Sequence, residues 1–134
     1  MSPREWRFCI ADILGAVAKI DQYVLGMELG AFLADDKTQD AVVRLFILIG
    51  EAARHIPSNV TEAYPDVPWQ EMRDMRNFAV HVYWGVTAEV LWDTIRDDLP
   101  ALVPRLRLIM DLHKGDAGAG NSDGNDVGVV GIGW

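Results

Sequence analysis

Apolar side chains recur along this chain at steps of three and four residues. Over residues 4–26, Trp6, Ile10, Ile13, Leu14, Val17 and Ile20 keep that spacing, which predicts an amphipathic helix with Gly26 as its terminator. Residues 27–35 read as a connection around Gly30. A second helix starts near Asp36 or Thr38, carries acids in its first turn, and runs through Val42, Leu45, Phe46 and Ile49 until Pro57 stops it. Ser58–Val67 holds a short helical turn at most, broken by Pro65. Pro68 suits the first position of a third long helix continuing to about Tyr83, where Gly85 ends it. Thr87 is a good N-cap for a fourth helix through Asp98, and Pro100 and Pro104 kink or restart it before it continues to about His113.

No strand-like alternation of useful length interrupts this pattern. The expected fold is all-α, an antiparallel bundle of four to five helices, four of them long, over residues 1–113. From Lys114 onward the pattern disappears: residues 114–134 hold seven of the twelve glycines and few periodic apolar positions. Burial there cannot offset the entropy of ordering the chain, so a flexible Gly-rich tail is expected. Its end, Val127–Trp134, is apolar enough to serve as a docking peptide instead.

Composition narrows the class of protein. A length of 134 residues, half of them apolar, suits one domain with a true core. No apolar run approaches the eighteen or so residues of a membrane span, and the N-terminus lacks the build of a secretory signal. Cys9 is the single cysteine, read as a small buried residue of the first helix. His55 and His113 read as surface histidines near helix ends, and three histidines without matching carboxylate spacing make no metal site. No cofactor is expected, and the location is expected to be cytoplasmic. Twenty acids against twelve bases give a net charge of −8, the wrong sign for gripping nucleic acid by the overall field. Any action on RNA must therefore rest on a local cluster of cations.

One stretch supplies such a cluster. On a helix, Met72, Met75, Phe78, Ala79 and Val82 share a side that should face the core, while Arg73, Arg76, Asn77 and His81 share the opposite side. Asn77 and His81 are four apart and adjoin, and Tyr83 follows Arg76 two turns on. Val80 sits among these polar groups and suits a seam between two copies. Such a face can cleave RNA without a metal when the 2′-hydroxyl attacks the neighbouring phosphate. A histidine titrating near neutrality moves the protons, and a guanidinium braces the phosphoryl oxygens as charge builds. The same residues could equally be a solvated helix face; spacing alone does not separate the two.

The chain resembles the HepT-like branch of the HEPN superfamily over roughly residues 10–112. The pattern Arg-x4-His-x-Tyr stands here as Arg76, His81 and Tyr83, with Asn77 after the arginine. Around it lie FLADDKTQDAVVR at 32–44, IGEAA at 49–53, YPDVPWQEMRDMRN at 64–77 and VYWGVTAEVLWDTIRDDLPAL at 82–102. The resemblance implies a helical homodimer that cleaves RNA without metal, with Arg76 and His81 catalytic and Asn77 and Arg73 in support. It also implies a toxin of a type VII-like system, whose partner is an MNT-type nucleotidyltransferase antitoxin that transfers AMP to Tyr83. Glu51, in IGEAA, either reaches Arg76 or Arg73 across the bundle or faces solvent. The tryptophans Trp6, Trp69, Trp84, Trp92 and Trp134 are mostly expected to be core or interface anchors, with Trp84 beside the proposed cleft. Two further readings keep the same fold: a non-catalytic module that binds the nucleotidyltransferase, and a scaffold subunit indifferent to Arg76 and His81.

Overall fold

A computed structural model describes residues 1–78 and 87–115. The sequence expectations for Ala79–Val86 and for Asp116–Trp134, including those for His81, Tyr83, Trp84, Gly85 and the tail, lie outside the described residues. The architecture is all-helical, as the periodicity predicts, with no strand among the described residues. In chain order the elements are α1 (Pro3–Tyr23), α2 (Leu29–Leu33), α3 (Asp36–Arg54), α4 (Ser58–Ala63), α5 (Trp69–Asp74), a 3-10 turn (Met75–Asn77), α6 (Ala88–Asp93), a π-turn (Thr94–Asp98) and α7 (Leu99–Leu112).

Each long helix starts and stops for a local reason. At the head of α1, the Glu5 amide donates to the Ser2 hydroxyl and the Ser2 amide donates to the Glu5 carboxylate, closing a capping box with Pro3 in the first turn. Its end is turned by Gly26, whose φ of 77° is a backbone conformation that side chains resist. Asp35 caps α3 by accepting from the Thr38 amide at 3.0 Å and the Thr38 hydroxyl at 2.7 Å.

Residues 27–35, expected to be only a connection, contain α2. Two contacts from outside that segment hold it. Phe32 is fully buried against Trp92, and the Gln39 side chain donates to the carbonyls of Phe32 and Leu33 at the end of α2. The two prolines near residue 100 also act differently from the expectation of a break. Residues 88–112 form one continuous helical rod, widened to a π-turn over Thr94–Asp98. Pro100 has no N–H for the carbonyl four residues earlier and its ring crowds that carbonyl, so the preceding turn opens instead of stopping. Pro68 stands at the N-cap of α5, one place before its expected position, and Thr87 is the N-cap residue of α6 without a side-chain capping bond.

The core lies where these rods meet. α3 packs against α1, α5 and the 3-10 turn, and α1 packs against α7. Ile10, Ile13, Ile20, Phe46, Ile49, Met72, Leu99, Leu106 and their neighbours are removed from water. Full burial of a side chain of this size contributes about 1.5–3 kcal/mol. Trp6, Trp69 and Trp92 are buried, in keeping with their expected role as anchors. Cys9 is only half-buried at the core's edge.

α1 and α7 run antiparallel, since Arg7 near the start of α1 donates to the Met110 carbonyl near the end of α7 at 2.7 Å. This arrangement overturns the reading of His113 as a surface residue. It caps α7, stands edge-on to Trp6 with ring centres 4.9 Å apart, and lies 2.7 Å from the Tyr64 hydroxyl. His55, by contrast, is exposed at the C-cap of α3.

Candidate functional site

The chain from α5 into the 3-10 turn divides into two faces, as its spacing predicts. Met72 and Met75 are buried, and Phe78 stacks edge-on against Phe46 with ring centres 5.2 Å apart. Arg76 and Asn77 are exposed, and Arg73 is intermediate. The helix is not uniform, however. It tightens from α to 3-10 at Met75–Asn77, so Arg76 sits in a three-residue turn instead of an α-helical one.

The tightening coincides with a close approach to α3. Gly50 is buried in the last part of α3, and a Cβ added there would lie 2.5 Å from the Arg76 backbone nitrogen and 2.8 Å from the Arg76 Cβ. Glycine is thus what lets the Arg76 main chain lie directly on α3. A lone glycine inside a helix costs about 1 kcal/mol relative to alanine, and at Gly50 the close approach of Arg76 supplies a packing reason for that cost.

The next residue of α3 completes the contact. Glu51 Oε1 lies 2.5 Å from Arg76 Nε, and the two side chains retain 31% and 49% of their exposure. The choice left open for Glu51 therefore resolves to Arg76. Arg54, one turn further on, places Nη1 3.6 Å from the same carboxylate oxygen. Arg54 and Arg76 both pair with Glu51, and Arg73 lies one turn before Arg76, so two arginines share one carboxylate on this face and a third stands nearby in sequence. Arg54 gives little sequence signal, because a basic residue in the last turn of a helix already has a local reason to be there.

The other side of the same segment is different in character. A groove of about 470 Å³ runs between α5 and the π-turn, with Met72, Met75, Phe78 and Leu102 among its lining residues. Glu71, Asp74, Asp97 and Asp98 also line it against a single cation, Arg105, a balance of charge unfavourable to phosphate. The candidate site is therefore the arginine face and not this cavity. Among the described residues no group of three or more His, Cys, Asp or Glu side chains is placed to hold a metal ion, and no helix is long and apolar enough to cross a membrane.

The structure brings Arg76, Glu51 and Arg54 together and puts Asn77 on the exposed side of the same turn. His81 and Tyr83 lie outside the described residues.

The family model described as Ribonuclease HepT-like matches residues 13–109, and the chain belongs to that family, part of the HEPN superfamily. Among its relatives is a "Probable ribonuclease HepT" of Thermococcus cleftensis, 40% identical over 93 residues, covering 69% of this chain and 84% of the relative. Another is "Putative RNase MJ0127" of Methanocaldococcus jannaschii, 32% identical over 116 residues, covering 87% and 96% of the two chains. A third is "Putative RNase TTE0752" of Caldanaerobacter subterraneus subsp. tengcongensis, 33% identical over 91 residues, covering 68% and 81%. No solved structure gives a significant match.

Proposed function

We propose that the protein is a metal-independent endoribonuclease, the toxin of a HEPN/MNT toxin–antitoxin pair, acting in the cytoplasm as a homodimer. The observation that carries this reading is the Arg76 guanidinium, half-exposed at the head of the Arg-x4-His spacing and held in a local cationic cluster on an otherwise acidic protein. The family match and the ribonuclease names of the relatives support it.

In this mechanism His81 removes the proton of an RNA 2′-hydroxyl, which attacks the adjacent phosphorus. The 5′-oxygen of the next nucleotide leaves and takes a proton, giving a 2′,3′-cyclic phosphate and a 5′-hydroxyl. Arg76 stabilises the phosphoryl oxygens as charge develops, the work for which a planar guanidinium is suited. Asn77 and Arg73 support the phosphate chain. A second copy would double the cations at a shared cleft. The antitoxin, an MNT-type nucleotidyltransferase, silences the site by moving AMP from ATP to the Tyr83 hydroxyl, with pyrophosphate leaving. The added phosphate then competes with RNA for Arg76.

The test is cleavage of total cellular RNA and tRNA by the unmodified protein in excess EDTA, beside His81→Ala and Arg76→Lys variants. The expected result is cutting by the wild type, none by His81→Ala, and a loss on the order of 10²–10³ for Arg76→Lys. If neither the wild type nor any variant cuts, the enzyme reading gives way to a non-catalytic module that binds the nucleotidyltransferase and accepts AMP on Tyr83. Mass spectrometry after co-expression with the antitoxin would detect that modification.

A further inference from the structure

Among the described residues, Glu51 is the acid in direct contact with the proposed phosphate-binding arginine, and a carboxylate beside a phosphate site needs a reason. On charge alone it weakens RNA binding. We propose that Gly50 and Glu51 form a two-point clamp that pre-orients Arg76, with Glu51 as a positioning residue of the ribonuclease site. The inference rests on the function proposed above.

The geometry carries it in two parts. Gly50 removes the side chain that would push the Arg76 main chain off α3, since its missing Cβ would fall 2.5 Å from the Arg76 nitrogen. That fixes the root of the arginine. Glu51 fixes the other end: its Oε1 is 2.5 Å from Nε, the nitrogen nearest the aliphatic stem. A guanidinium has five N–H donors in a planar fork. Engaging Nε leaves the Nη1–Nη2 edge available for two parallel bonds to phosphate. The half-exposure of the Arg76 side chain is compatible with that edge facing outward.

An unclamped arginine would have to give up the freedom of its long side chain in the transition state. Holding it in advance lowers that cost, which is the advantage of a pre-organised electrostatic site. A different role, in which Glu51 masks Arg76 until RNA displaces it, predicts the opposite sign. Removing the acid would then raise turnover.

Two measurements separate these outcomes, using Glu51→Ala and Glu51→Gln in the full chain. Glutamine keeps an acceptor oxygen of the same reach and loses the charge. Both variants should lower KM for RNA, because a negative charge leaves the phosphate site. Glu51→Ala should lower kcat on the order of 10²-fold, whereas Glu51→Gln should recover most of it. A purely structural role would not lower KM and kcat together in one variant and restore kcat in the other. A kcat for Glu51→Ala equal to or above wild type would overturn the clamp.

The second measurement needs no RNA. By NMR, the Arg76 Nε–H of the free protein should exchange with water more slowly than those of the other exposed arginines. It should become fast in Glu51→Ala and remain slow in Glu51→Gln. Fast exchange in the wild type would overturn the clamp even if RNA is cut. Slow exchange in a protein that cuts no RNA would keep the clamp and sink the ribonuclease reading.

Discussion

The Tyr64 hydroxyl and His113 Nε2 lie 2.7 Å apart, joining the C-cap of α4 to the C-cap of α7. The pair is separated by 49 residues of sequence and is half-buried beside Trp6. A single side-chain hydrogen bond typically contributes about 0.5–1.5 kcal/mol net. Tyr64→Phe should lower the free energy of unfolding by about that amount, read from urea denaturation, with an unchanged denaturant slope. An unchanged midpoint would mean that water replaces the hydroxyl without loss.

Gly15 and Gly50 give a paired prediction of opposite sign. Gly15 lies inside α1, and a Cβ added there would meet nothing within 4 Å, so Gly15→Ala should stabilise by up to about 1 kcal/mol through helix propensity. Gly50→Ala gains the same propensity but places a methyl against the Arg76 main chain. Backbone cannot swing aside as a flexible side chain can. Overpacking of this kind costs about 1–3 kcal/mol and should win. Thermal unfolding of the two variants beside wild type checks both.

Asp35 makes α3 sensitive to acid. The bond from the Thr38 amide, helped by the Thr38 hydroxyl, holds the carboxyl below its ordinary value. Because the folded state favours the ionised form, the contribution is complete above the unfolded value near 3.8 and is lost as pH falls through the lower folded value. Asp35→Asn, which still caps, should therefore flatten the fall in melting temperature between about pH 5 and pH 2 relative to wild type. An identical acid limb in both proteins would remove Asp35 as a cause.

Cys9 should be a poor nucleophile. Burial raises its thiol above the ordinary value of 9.0, and the charges of Asp12 and Glu5 raise it further. The thiolate is the reactive form, so alkylation by iodoacetamide at pH 8 should be several-fold slower than for a free cysteine. Asp12→Asn should speed it. Equal rates for protein and free thiol would contradict the burial argument.

The parts of the fold legible in the sequence are those decided within one helix. The steps from Trp6 to Ile20 fix α1, and the division between Met72, Met75 and Phe78 and the facing Arg73, Arg76 and Asn77 follows from helical periodicity alone. Features decided between helices are less visible. α2 exists because Gln39 and Trp92 reach it from elsewhere, and its five residues carry too little periodicity to announce it. His113 has the composition of a surface position, and only the antiparallel return of α7 onto α1 covers part of it and gives it Trp6 as a neighbour. Glu51 carries both possibilities in sequence, and the depth at which α5 settles on Gly50 decides between them.

The two unlike flanks of the segment from α5 to Phe78 have a consequence for how a polyanion arrives. On one side stand Arg54, Arg73 and Arg76; on the other, Glu71, Asp74, Asp97 and Asp98 outnumber Arg105 along the groove. At about 10 mM salt the screening length is roughly 30 Å, comparable to the whole molecule, and an incoming strand senses the net charge of −8. Near 100 mM it shortens to about 10 Å, and the strand senses only the flank it approaches. Association should therefore be slow at very low salt, fastest at an intermediate concentration, and slow again when the arginines themselves are screened. A molecule of uniform sign would show only one of those limbs; this one favours approach to its arginine flank over approach to the acid-lined groove.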